Sequence, residues 1–219
     1  PMSIVTPALR AYRASLLHFH ADPAFAANAY ARHEDGLLIV DGGMVVAAGD
    51  YAELLPTLPS EVAIVDYSGK IICPGFIDTH IHFPQTDMIA SPAPGLLPWL
   101  DSYTFPTERK FEEAAHGSEV AEFFLDQLMR SGTTTAMVYC TVHKESVDAF
   151  FNASEARGLR MVAGKVLMDR NCPDFLADTA ESGARDSEEL IQRWHGRGRA
   201  AYAITPRFAP TSTPAQMTL

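Results

Sequence analysis

The chain has 219 residues, 47% of them hydrophobic, enough to bury the core of one large domain or two modest ones and too apolar for a disordered chain. A formal net charge of -10 disfavours nucleic acid and anionic membrane surfaces as partners. Three scattered cysteines, Cys73, Cys140 and Cys172, suit a reducing compartment better than a disulfide framework; with no signal-peptide pattern and no apolar run near ~18 residues, a cytoplasmic location is expected.

Residues 1–69 read as a small antiparallel β-unit. Ala14 to Phe19 is apolar and extended. Leu37 to Val40 and Met44 to Ala48 flank Asp41-Gly42-Gly43, whose glycines supply the positive φ that a hairpin turn requires. Glu61 to Tyr67 is a further strand, expected to stop at Ser68-Gly69.

The texture changes over residues 70–219. Ile71 to Ile77 is nearly all apolar, as expected of a strand buried on both faces. A long Pro-rich loop follows. Phe111 to Arg130 has helical apolar spacing, and Gly132 is placed to end it. Thr133 to Tyr139 is a second buried strand, Lys144 to Arg157 a helix stopped by Gly158, and Leu159 to Met168 a third strand. Asp186 with Glu189 has the spacing of a capping box that opens a helix to Trp194, and Ala201 to Phe208 is a fourth strand. Four strands alternating with three helices argue for parallel βαβ units, either an open doubly wound sheet or part of a (β/α) barrel. No G-x-G-x-x-G follows any strand, which counts against a dinucleotide fold.

One stretch carries chemistry. In "PGFIDTHIH", His80 and His82 stand two residues apart, so in an extended strand their rings project to one side. The C-terminal end of a barrel strand is where such folds place their active sites. Two imidazoles there can coordinate a divalent ion, although a catalytic zinc usually takes three protein ligands. Asp78 can bond nearby backbone. His18-Phe19-His20 has the same spacing but precedes the turn residues Asp22-Pro23, and reads as ordinary strand residues. Strand context, not spacing, singles out the later pair.

The stretch "KIICPGFIDTHIHFPQ" resembles the metal-binding signature of the amidohydrolase superfamily. Tyr103-Thr104-Phe105-Pro106-Thr107-Glu108, Ser131-Gly132-Thr133-Thr134-Thr135, Gly164-Lys165-Val166-Leu167-Met168-Asp169 and Ile204-Thr205-Pro206-Arg207-Phe208 narrow the resemblance to the guanine deaminase family. It implies a partial (β/α)8 barrel, its first four strands and three helices, preceded by a sandwich-like β-unit. It implies one zinc ion per site, with His80 and His82 as two ligands, activating a water that attacks carbon 2 of guanine to give xanthine and ammonia. His82, Phe83, Pro84 and Gln85 match the substrate-binding stretch; Arg207 is matched to a donor for the ring oxygen and Phe208 to an apolar wall. Trp99 and Phe105 are candidate pocket residues, while Lys165 is read as structural or supporting rather than metal-bridging.

The resemblance further implies that a third histidine ligand, a proton-shuttling glutamate and a closing aspartate lie beyond residue 219. No catalytic acid or base is therefore assigned within the chain. On this reading it is the N-terminal half of an enzyme that pairs as a homodimer, and it is expected to be inactive and poorly soluble alone. The alternatives are an aminohydrolase of another purine, a pyrimidine or a triazine, and a non-catalytic scaffold that keeps half the fold.

Overall fold

The computed structural model describes residues 9–218, which divide into two compact units, one ending at Pro74 and the other starting at Gly75. The first holds β1 (Arg10–Phe19), β2 (Tyr30–Asp41), β3 (Met44–Asp50) and β4 (Ile64–Ile72), in the order β3-β2-β1-β4. The expected hairpin is β2–β3, turned through Gly42 and Gly43 at φ 56° and 81°. The sheet is mixed rather than antiparallel, because β3 and β4 occupy opposite edges and β4 runs parallel to β1. Nor does β4 stop at Ser68-Gly69. Gly69, at φ 81°, lets the strand bulge and rejoin β1 at Ile71 and Ile72, beyond the 69/70 boundary read from the sequence. Ala11, Leu37 and Ile39 form the centre of this unit's core.

The second unit is built on a parallel sheet. Its strands are β5 (Phe76–His82), β6 (Thr133–Tyr139), β7 (Arg160–Gly164) and β9 (Ala201–Tyr202), in that order, with a small β8 (Val166–Leu167) to β10 (Thr205–Pro206) pair beside it. Helices α1 (Ala114–Arg130), α2 (Lys144–Arg157) and α3 (Ala180–Trp194) are the crossovers. Their apolar faces pack on one side of the sheet, where Phe83, Phe111, Phe150 and Phe151 are fully buried around Leu125 and Met161.

Four sequence expectations need correction. The strand expected over Ile71–Ile77 is two strands, because Pro74 lacks the N–H that would continue the ladder. It is not buried on both faces either: β5 is an edge strand, and Phe76 and Ile77 are 64% and 67% exposed. The third and fourth strands are each broken, β7 from β8 at Lys165 and β9 from β10 at Ala203 and Ile204. There the two chains approach so closely that a Cβ on Gly164 would lie 1.9 Å from the Ala203 carbonyl oxygen. Finally, α3 begins six residues before the expected Asp186, capped by Thr179 and Ser182. The Pro-rich loop is itself mostly short helix: 3-10 at Phe83–Met88, α at Leu96–Trp99, a π turn at Leu100–Thr104 and α at Phe105–Arg109.

Candidate active site

At the C-terminal ends of β5 and β10 lies a cavity of about 890 Å³, within the size range of small-molecule sites. His80, His82, Gln85, Trp99, Arg207 and Phe208 all stand on its wall. Strand geometry places the first two. Alternate residues of β5 face the same way, so the two imidazole rings come within 5.3 Å, centroid to centroid. The Asp78 carboxylate accepts the backbone N–H of His80 at 3.0 Å and tightens the strand just before the pair.

Gln85 reaches the cavity from the 3-10 turn that follows β5, while Phe83 and Pro84 are buried beneath it. Phe83 packs against Phe111, Phe124 and Phe150, with centroids 5.2 to 6.0 Å apart, so its ring belongs to the core and is not on the cavity wall. Arg207 and Phe208 follow β10, and the Arg207 backbone N–H donates to the Leu167 carbonyl at 3.2 Å. The structure thus brings together residues separated by more than a hundred positions of chain. Phe105 lies under Arg207, its ring 5.6 Å from the guanidinium carbon, rather than on the wall.

Burial, then the nearby Arg207 and His80, lowers the His82 pKa to about 4. The ring is therefore neutral at pH 7, with a lone pair free to bind a metal. Its Nδ1 is buried without a hydrogen-bond partner, the kind of orphaned atom an ion would satisfy. Among the described residues no group of three or more His, Cys, Asp and Glu is placed to hold a metal. The chemistry of the donor set fits a divalent ion through two imidazoles.

Other candidates stand elsewhere. Lys165 is fully buried, its Nζ bound to the Asp178 carboxylate at 2.5 Å, a structural ion pair. His18 and His33 stack at 6.4 Å on neighbouring strands, and His20 turns away to the Asn28 carbonyl. Cys140 is buried, and its thiol pKa is pushed well up by that burial.

Two residues of the site escaped the sequence reading. Tyr139 ends β6 opposite His82 in the sheet register, and its ring lies 4.6 Å from His82 at 13° and 5.2 Å from His80. Glu108 holds Arg207 from below, Oε2 to Nη1 at 2.6 Å. The position of Tyr139 at a strand's C-terminal end was the available signal; for Glu108 there was only its place in the family-like stretch.

Residues 71–219 match the model of the amidohydrolase family, and the chain belongs to that family, whose members are generally metal-dependent. Within it, the chain is 51% identical over 198 residues to guanine deaminase from Escherichia coli K12, covering 90% of this chain and 45% of that protein. Its structure is similar to that of the E. coli guanine deaminase, with a TM-score of 0.90 and 49% identity over 95% of this chain and 49% of that one. A guanine deaminase from C. acetobutylicum with guanine bound in its active site is similar at a TM-score of 0.83 and 28% identity, over 96% and 49% of the two chains. The chain spans about half the length of the curated relatives it matches.

Proposed function

We propose that the chain carries the purine-binding wall and part of the metal centre of a guanine deaminase, with its parallel sheet forming the first half of a (β/α)8 barrel. The observation that carries this reading is the gathering of His80, His82, Gln85, Arg207 and Phe208 around one cavity, in a chain 51% identical to a guanine deaminase. The reaction breaks the C2–N bond of guanine and forms a C2–O bond from water, giving xanthine and ammonia.

His80 and His82 would hold the metal ion, zinc on this reading, through ring nitrogens. When bound, that ion supplies the Lewis acidity that makes water nucleophilic near neutral pH. Everything else falls to the chain's own side chains. Tyr139 stacks on the His82 ring and lies tilted against that of His80, and so limits the rotation of both. The Gln85 amide offers a donor and an acceptor to the purine edge. Arg207 donates N–H to the oxygen on carbon 6, where its fixed charge stabilises electron density pushed onto the ring. Phe208 and Trp99 cover the purine faces and exclude water.

The test is turnover of guanine by the complete zinc-loaded polypeptide that carries these residues. Xanthine formation is expected, with replacement of both His80 and His82 by alanine lowering it by more than about 100-fold, the upper cost of losing mere supporting residues around a metal. Strong turnover of adenine or cytosine with none of guanine would sink this reading.

A further inference from the structure

Glu108 is fully buried and does not touch the cavity. Its Oε2 accepts from Arg207 Nη1 at 2.6 Å, and its Oε1 has no partner. Burial raises its pKa, opposed by the guanidinium beside it. A carboxylate in such a place is a poor source of stability, since a buried ion pair commonly gains nothing over a packed apolar pair. Nor is it needed to keep Arg207 charged, because a guanidinium does not deprotonate in proteins. Orientation is what remains.

The geometry serves that end. Phe105 and Glu108 stand three residues apart on one short helix, hence on one face, and the π turn Leu100–Thr104 launches that helix beneath β10. The Arg207 guanidinium carbon stands over the Phe105 ring at 5.6 Å while Glu108 holds one of the guanidinium nitrogens. The Arg207 side chain is only 5% exposed, and among the described residues it makes no other side-chain hydrogen bond. A guanidinium has five N–H donors in a fixed plane. Held at one nitrogen and backed by an aromatic ring, it keeps its remaining donors for the cavity it lines, where His80, His82 and Gln85 also stand.

We propose that Glu108 is a positioning residue: it fixes the plane of the Arg207 guanidinium so that the site prefers purines bearing an oxo group at carbon 6. This rests on the reading of Arg207 as a purine-binding residue. The complete zinc-loaded polypeptide is the material for the test. Hypoxanthine, which has the 6-oxo group, and purine, which lacks it, are compared as competitive inhibitors of guanine turnover. Inhibition constants do not depend on how many molecules are folded, so a destabilised variant remains informative.

Glu108→Gln and Glu108→Leu are expected to lower the preference for hypoxanthine over purine about tenfold, the order of one charge-assisted contact. The KM for guanine should rise more than kcat falls. In an Arg207→Gln background, Glu108→Gln should leave the preference unchanged, because the residue it positions is gone. An unaltered preference in Glu108→Gln or Glu108→Leu, or equal weakening of both inhibitors, overturns the role of Glu108 while leaving the guanine reading intact. Absence of guanine turnover in the unsubstituted protein overturns both.

Discussion

Lys165 is 1% exposed, and its Nζ is within reach of Asp178 at 2.5 Å and of the Val166 carbonyl at 3.4 Å. Burial pushes the lysine pKa down and the Asp178 pKa up, and each group's charge opposes the shift of the other. The pair ties the break between β7 and β8 to the segment before α3, so its contribution is conformational. Lys165→Met, which leaves Asp178 buried and uncompensated, should destabilise the protein by about 3 kcal/mol in urea unfolding. Adding Asp178→Leu should recover most of the loss. A double variant as unstable as the single one would show that the site needs the charges themselves and not simply a filled volume. The same contrast separates this pair from Glu108 and Arg207, where the second partner faces a cavity and has work left to do after the first has been paired.

At the scale of elements, the N-terminus of α3 offers a sharp comparison. The Thr179 hydroxyl accepts the Ser182 N–H at 3.0 Å, and the Ser182 hydroxyl accepts the Thr179 N–H at 2.9 Å, satisfying two donors that the first helical turn leaves free. Thr179→Ala should therefore cost about 1 kcal/mol in thermal or urea unfolding. Asp186 and Glu189 have the sequence spacing of a box but lie inside the helix, where they face Lys144 at 3.5 and 2.8 Å; alanine at either should cost less. Local patterns were legible where the partner was a few residues away. Thr133–Tyr139 and Lys144–Arg157 have the bounds their β-branched and amphipathic runs foretell, and Gly158 closes the helix at φ 65°. What could not be read was contact at a distance. Whether Phe76 is covered depends on which strands join the sheet, whereas the break at Pro74 is announced locally by the proline itself. The histidine pair was legible from strand periodicity. Arg207 and Gln85 were legible only through their resemblance to a family. Glu108 stood in a family-like stretch, but its role was not legible there, because its partner is 99 residues away and its burial follows from a π turn that sequence periodicity does not announce.

The whole molecule poses a different problem, that of the edges of the parallel sheet. Its order is β5-β6-β7-β9, so β5 and β9 each pair on one side only among the described residues. β9 is two residues long and offers little, but β5 runs for seven with few charges. Phe76 and Ile77 on β5, Met137 on β6 and Ile204 beyond β9 are all about half exposed or more, giving apolar surface next to unpaired backbone. Parallel sheets are ordinarily covered on both faces, and a long apolar edge recruits another chain. The same limit governs the chemistry, since His80 and His82 give two donors where a catalytic zinc takes three. The 219-residue polypeptide, expressed by itself, should therefore self-associate in light scattering at about 100 µM, bind zinc only weakly by titration and turn over no guanine. Charged substitutions at Phe76 and Ile77 should reduce the association without restoring zinc affinity, because the first defect lies in the edge and the second in the donor count. A monodisperse 219-residue chain that takes up one zinc tightly would mean that the edge is covered and that a third ligand comes from residues placed away from the pair.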